Sequence, residues 1–305
     1  MAIHFFEPGV YYSTMGPHEP VLHIQSGDSV VTSTIDARGA DRNLQEVGSR
    51  PNPMTGPFYI QEARPGDTLA IRFDQITPSR DSGWTFNALD HQVIDAAAYK
   101  DMPPREILQW TIDRHAGTVG LSNPLPGLGH LQRKMAPFLG CFGVAPARKE
   151  TITTATSAEH GGNMDYRKFT AQSTVYLPVH EPGALFFLGD GHASQGDGEI
   201  VGTGIETSMT VQFTATVIPG RTIGWPRGED EAYIFAIGNA KPLELAVKHA
   251  TTEMLKWLQQ DYGLDEVSAS TLLGQHVEYE IGNIFNPAYT MVCKLSKAIL
   301  SGIQI

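Results

Sequence analysis

Residues 207–218 read Thr-Ser-Met-Thr-Val-Gln-Phe-Thr-Ala-Thr-Val-Ile, apolar and polar side chains in alternation. Successive side chains leave opposite faces of a strand, so a period of two marks a strand with one buried face. β-Branched residues also crowd 29–35 (Ser-Val-Val-Thr-Ser-Thr-Ile), 68–73 and 173–179, which read as further strands. The chain carries 31 glycines and 20 prolines, enough punctuation to favour short strands over long helices. The first 235 or so residues therefore read as strands and turns. A turn, a strand and then an aspartate recur at Asp36, Asp74 and Asp190, a weak internal echo.

Helical periodicity comes late. After Pro242, suited to a first helical position, Leu243, Ala246, Val247, Ala250, Met254, Trp257 and Leu258 share one face. That stripe is expected to pack on a sheet, with the helix ending before Gly263 and Asp265 capping a second helix through Leu273. A shorter amphipathic segment is expected within 99–114. The expected fold is α+β and β-rich, packed sheets in a sandwich-like core with a few helices mainly near the C-terminus. The expected organisation is one domain over 1–305, or two intertwined β-halves of about 1–150 and 151–305.

Bulk properties remove several functions. Hydrophobic residues make up 41% and charged residues 18% of the 305, the balance of a folded globular protein. The net charge of −11, without a cluster of Lys and Arg, argues against nucleic acid as a partner and against an anionic membrane surface. A small neutral substrate remains compatible. Cys141 and Cys293 make no disulfide framework, and the N-terminal residues show no leader pattern, so a reducing, cytoplasmic setting is expected.

The densest polar tract is Gly189-Asp190-Gly191-His192-Ala193-Ser194-Gln195-Gly196-Asp197-Gly198-Glu199. It follows an apolar run, 184–188, and Glu206 stands just before the alternating strand. Carboxylates beside a histidine at a strand end are natural ligands for a divalent ion, and an extended Asp190-Gly191-His192 would turn both side chains one way. A solvated Gly-Asp loop and a calcium loop are the competing readings. The tract has no lysine to suit a phosphate loop and is one residue away from a nucleophile elbow. Cys141 reads as a buried structural cysteine more than a thiol nucleophile.

These residues resemble the acetamidase/formamidase family, whose signature runs Gly-Asp-x-His-Ala-x-Gln-Gly-Asp-Gly-Glu and then Gly-Thr-x-Ile-Glu, here Gly202-Thr203-Gly204-Ile205-Glu206. Gly161-Gly162-Asn163-Met164-Asp165, Asn52-Pro53-Met54-Thr55-Gly56-Pro57, Pro65-Gly66-Asp67-Thr68-Leu69 and Gly143-Val144-Ala145-Pro146 match other family blocks in order. Gln61-Glu62-Ala63 and Ala171-Gln172 depart from its pattern and point to a divergent branch. The resemblance implies hydrolysis of formamide, acetamide or a related lactam, a bound Zn2+ with Ca2+ as a further ion, and a homodimer or larger homo-oligomer.

On that resemblance Asp36, Asp190 and His192 are the expected metal ligands, since a catalytic zinc usually takes three protein groups and a water whose pKa falls to about 7. Glu199 is the expected general base, against the reading of a surface carboxylate. Gln195 and Asn163 are expected to orient the substrate amide. Asp165 is a further ligand or a partner of His192, Asp197 would complete a separate hard-cation site, and His160 beside its Gly-Gly turn is a candidate ligand more often exposed and idle. The rivals are a non-catalytic protein holding a metal or small ligand, and a metal-dependent oxygenase on a β-scaffold.

Overall fold

The computed structural model describes residues 1–129 and 131–303. The alternating segment forms the strand Met209–Ile218, whose Met209, Val211, Phe213 and Ala215 are all fully buried. It pairs antiparallel with Ser29–Thr34 on one side and Thr68–Pro78 on the other. These three belong to a nine-stranded sheet in the order Ile3–Phe5, Ser29–Thr34, Met209–Ile218, Thr68–Pro78, Thr174–Pro178, Arg227–Glu229, Tyr233–Ala240, Tyr289–Ser296, Glu278–Asn283.

A six-stranded sheet faces it, in the order Ser157–Ala158, Gly161–Asn163, Phe138–Gly143, Phe186–His192, Thr55–Ile60, Leu22–Ile24. Phe213 of the larger sheet packs edge-on against Phe58 and Phe186 of the smaller, ring centroids 5.2 Å apart in both pairs, and Phe73 meets Phe142 at the same distance. This is the sandwich-like core, built by aromatic rings on two inner faces. The apolar run before the site, Ala184 to Leu188, and the alternating strand lie in opposite sheets rather than side by side.

The segment 99–114 departs from expectation. It is not helical: only Ala96–Tyr99 forms a short turn of helix, and Ile107–Asp113 is a strand. Leu108, Trp110 and Ile112 alternate with Gln109, Thr111 and Asp113, so period two prevails over the helical reading. This strand joins Ser82–Phe86, Thr118–Leu121 and Gln132–Lys134 in a four-stranded sheet that reaches the site through bridges from Glu206 to Trp84 and to His192.

The late helices follow the sequence closely. Leu243–Tyr262 starts one residue after Pro242, which is extended at ψ 171°, and stops at Gly263 in the left-handed conformation at φ 63°. Its Ala250, Met254, Trp257 and Leu258 pack with Ile234, Ala236, Cys293 and Leu295 of the larger sheet. Asp265 caps the second helix by accepting from Ser268 N, and that helix continues past Leu273 to His276. No helix among the described residues is long and apolar enough to cross a membrane.

Candidate functional site

The strand Phe186–His192 runs through the middle of the six-stranded sheet and delivers Asp190 and His192 to its end. Its neighbour Phe138–Gly143 pairs with it and with Gly161–Asn163, bringing Asp165 in from the other side. Residues 193–206 loop over this end. The bridge from Gly198 to Asn283 ties the loop to the end of the strand Glu278–Asn283, and Glu206 returns to bridge His192. Five side chains converge from these separate stretches: Asp165, Asp190, His192, Glu199 and Glu206, all buried. Ligand-capable atoms of Asp165, Asp190 and His192 lie within 4.8 Å of one another, as do those of His192, Glu199 and Glu206.

The convergence of Asp190 and His192 is not that of a plain extended strand. Asp190 is left-handed at φ 56°, and Asp165 and Glu199 are left-handed at φ 49° each. Such backbone is sparsely populated by non-glycine residues and costs about 1–3 kcal/mol each, so the surrounding packing must hold it. Two glycines make room for the cluster. A Cβ on Gly140 would collide with Asp165 Oδ1, and one on Gly204 would lie 2.5 Å from His192 Cγ.

The hydrogen bonds set which nitrogen of His192 faces the acids. Gln195 Nε2 donates to the carbonyls of Asp165 (2.9 Å) and Gly282 (3.4 Å), which turns its Oε1 toward His192 Nδ1 at 2.8 Å. Nδ1 therefore carries the hydrogen and donates, leaving Nε2 toward Glu206 Oε1 at 2.9 Å and Asp190 Oδ1 at 3.5 Å. Asn286 Nδ2 donates to Asp165 Oδ2 at 2.7 Å, and Asn52 Nδ2 bridges Asp190 Oδ2 and Asn163 Oδ1.

Burial and mutual repulsion dominate the charges. Burial first, then Glu199 and Asp190, push Asp165 well above the ordinary carboxylate range. Burial likewise pushes Glu199 and Glu206 up to about 8 against the pull of His192. Burial works against a charged imidazole, but Glu206 and Asp190 outweigh it and raise His192. The cluster favours positive charge at Nε2, in the form of a proton or a cation, and its groups titrate as a unit. Asp165 Oδ1, His192 Nε2 and Glu206 Oε2 are buried without a hydrogen-bond partner. Three orphan lone-pair atoms among carboxylates and one imidazole fit a bound divalent ion.

Asp36 stands apart from this cluster, and the expectation that it is a metal ligand is corrected. Its Oδ2 accepts from Arg80 Nη2 at 2.6 Å and Trp84 Nε1 at 3.2 Å, and its Oδ1 from the backbone of Arg38 and Ala40. Both oxygens are spent, in a buried ion pair that steadies Trp84. Asp197, expected to complete a separate hard-cation site, pairs with Arg167 at the surface. Gln195 points at His192 and not at open space, so it positions the imidazole where a substrate contact was expected. Asn163 and Glu199 do line the pocket above the cluster, and Glu199 is no surface carboxylate.

His160 is buried rather than exposed, outside both clusters, and burial together with His180 lowers it to about 4. Cys141 is fully buried, its thiol donating to the Thr154 carbonyl, with burial raising it well above the usual thiol range. That is the environment of a structural cysteine. Glu206, Asn52 and Asn286 are site residues that the sequence by itself does not assign. Glu206 had a signal, a carboxylate opening a buried strand. Asn286 had none, because it reaches Asp165 across 121 positions of chain.

The pocket over the cluster has a volume of about 290 Å3. Asn52, Asn163, Asp190, Glu199 and Glu206 supply polar groups at its floor, and Trp84, Phe86 and Phe285 supply flat apolar walls. A concave, largely apolar space with a few convergent polar groups is the usual form of a small-molecule site.

Comparison with known proteins gives a consistent result. The sequence profile of the Acetamidase/Formamidase family matches residues 19–153 and 147–300. The formamidase of Methylophilus methylotrophus is 25% identical over 48% of this chain and 46% of its own. The chain spans about half the length of the curated relatives it matches. Among solved structures, acetamidase from Bacillus halodurans superposes with a TM-score of 0.85 at 28% identity, covering 99% of this chain and 100% of that one. Acetamidase from Yersinia enterocolitica gives 0.85 at 30% identity over 98% and 93%.

Proposed function

As the chain belongs to the acetamidase/formamidase family, we propose that it is a metal-dependent amidohydrolase cleaving the carbon–nitrogen bond of small amides. The observation that carries this reading is the meeting of Asp165, Asp190, His192, Glu199 and Glu206 beneath one pocket, with three of their buried lone-pair atoms unpartnered. Asp165, Asp190 and His192 would hold the ion, with Glu206 beside Nε2 as a further donor. An imidazole among the donors favours zinc over calcium, which takes oxygen ligands. When bound, a divalent ion supplies Lewis acidity toward water and the amide carbonyl.

The chain's own groups supply the rest. Glu199 lines the pocket and accepts the proton released as water oxygen bonds to the carbonyl carbon. It then gives that proton to nitrogen as the C–N bond breaks, its electron pair leaving with the ammonia or amine. Burial raises the Glu199 carboxyl above the ordinary range, and a cation held beside it would favour its ionised, proton-accepting form. Asn163 and Asn52 face the pocket and orient the amide, and Trp84 and Phe86 keep bulk water from its apolar part.

Ammonia release from formamide and acetamide, measured before and after chelator treatment and again with Zn2+, tests the reading, with elemental analysis of the purified protein alongside. Loss on chelation and recovery with Zn2+ are expected. Unchanged ammonia release from a protein shown to be metal-free would defeat the metal-dependent mechanism.

A further inference from the structure

The pocket is larger than acetamide requires and carries charge at its mouth that a neutral short-chain amide does not use. At about 30 Å3 per water-sized group, 290 Å3 holds roughly ten such groups, a little over twice the size of acetamide. Arg38 and Arg50 both line it. The Arg38 guanidinium lies 5.5 Å from the centre of the Trp84 ring, and Arg50 is exposed. Among the described residues neither guanidinium joins an ion pair, whereas eight other arginines do.

Among the described residues no acid lining the pocket pairs with either arginine. Asp36, two positions from Arg38, has its oxygens taken by Arg80, Trp84 and backbone N–H groups. Asp190 and Asp165 are held by asparagines, and Glu206 faces His192. In a chain of net charge −11, two free guanidiniums over a carboxylate-lined floor make a polarised cavity, negative below and positive at the mouth. Its walls are the rings of Trp84, Phe86 and Phe285, the last two each covered by the Arg105 guanidinium, at 4.2 and 4.9 Å.

Resting on the amidase reading above, we propose that the substrate is an amide carrying a carboxylate on a flat or apolar body. The amide end lies at the cluster, the body lies between the rings, and the carboxylate meets Arg38 and Arg50. Arginine is suited to this because its planar fork binds a carboxylate through two parallel hydrogen bonds. The reaction is unchanged: 4-carbamoylbenzoate and water would give terephthalate and ammonium, water oxygen replacing nitrogen on the carbonyl carbon.

The test compares 4-carbamoylbenzoate with terephthalamide, rated per amide group by ammonia release, and hippurate with N-propylbenzamide, rated by benzoate release, for a carboxylate on the nitrogen side. In the metal-loaded enzyme at least one anionic member is expected to have a kcat/KM about tenfold or more above its neutral partner, the order of one charged hydrogen-bonded contact. Arg38→Gln and Arg50→Gln are expected to bring that ratio toward one through KM. Anionic-to-neutral ratios at or below one in both pairs, or a preference that both variants leave intact, would overturn the proposal.

A binding measurement separates this from failure of the amidase reading. Calorimetric titration with 4-acetylbenzoate, which has no bond to hydrolyse, is expected to show binding that acetophenone lacks and that the arginine variants weaken about tenfold. Arginine-dependent binding with no ammonia, benzoate or amine released from any amide would remove the amidase reading and keep the anion site. Acetamide hydrolysis without any preference for carboxylate would do the reverse.

Discussion

Gly140 lies so close to Asp165 that a methyl group on its Cα would collide with Asp165 Oδ1. The same methyl would stand 2.8 Å from Asp190 Oδ2 and 3.0 Å from His192 Cε1. One hydrogen in place of a side chain thus lets Asp165, from beyond the strand Gly161–Asn163, meet Asp190 and His192 of the strand Phe186–His192 at a single point.

Gly140→Ala should consequently abolish metal uptake while the protein still folds, at an overpacking cost of about 1–3 kcal/mol. Zinc content by elemental analysis and a thermal melt report the two effects separately. A variant that binds zinc stoichiometrically would show that the cluster has slack which the distances deny.

Glu199→Gln retains the shape of the side chain and loses the proton-transfer function. Metal content is expected to stay near that of the parent while turnover of a small amide falls about a hundredfold or more. Turnover at the parent rate would take Glu199 out of the mechanism.

Asp36 and His192 separate structure from chemistry. Asp36→Asn leaves the buried Arg80 guanidinium unpaired and is expected to cost about 3–5 kcal/mol in denaturant unfolding with the metal retained. His192→Ala is expected to lose the metal. If the two variants exchanged these outcomes, Asp36 would be the ligand and His192 the structural residue.

Gln195→Leu removes the acceptor that fixes the His192 tautomer and the donor to Asp165 and Gly282 carbonyls. Metal affinity is expected to drop about 10–100-fold, the usual effect of losing a partner behind a histidine ligand. A competition titration against a zinc indicator measures this, and an unchanged dissociation constant would contradict it.

At the N-terminus, Asp28 accepts from His4 Nε2 at 2.9 Å and from Ala2 N at 2.6 Å, which lowers its pKa from the usual 3.8 to about 2. A depressed carboxyl favours folding above the unfolded value, and the benefit fades as pH falls through the folded one. Thermal stability should therefore drop more steeply between about pH 4 and pH 2 in the parent than in Asp28→Asn. Parallel curves for the two proteins would rule out this contribution.

The strand 209–218 and the helix after Pro242 are legible in the sequence because each carries its own period, set by local backbone geometry. Residues 99–114 mislead because a short alternation competes there with loose helical spacing, and cross-strand pairing to Ser82–Phe86 and Thr118–Leu121 decides between them.

Within the site, the sequence marked the tract holding Asp190, His192 and Glu199 by its density of acids and glycines around a histidine, and the family resemblance chose between a metal site and a solvated loop. It also pointed to Asp165 through the Gly-Gly-Asn-Met-Asp block. Tertiary structure alone decided that Asp36 serves Arg80 and Trp84, that Gln195 serves His192, and that Asn286 and Gly140 belong to the cluster. A side chain's chemical type is written locally, but its partners are whichever groups the sheets bring within about 3 Å, and hydrogen bonds fall off too steeply beyond that for sequence spacing to foretell them.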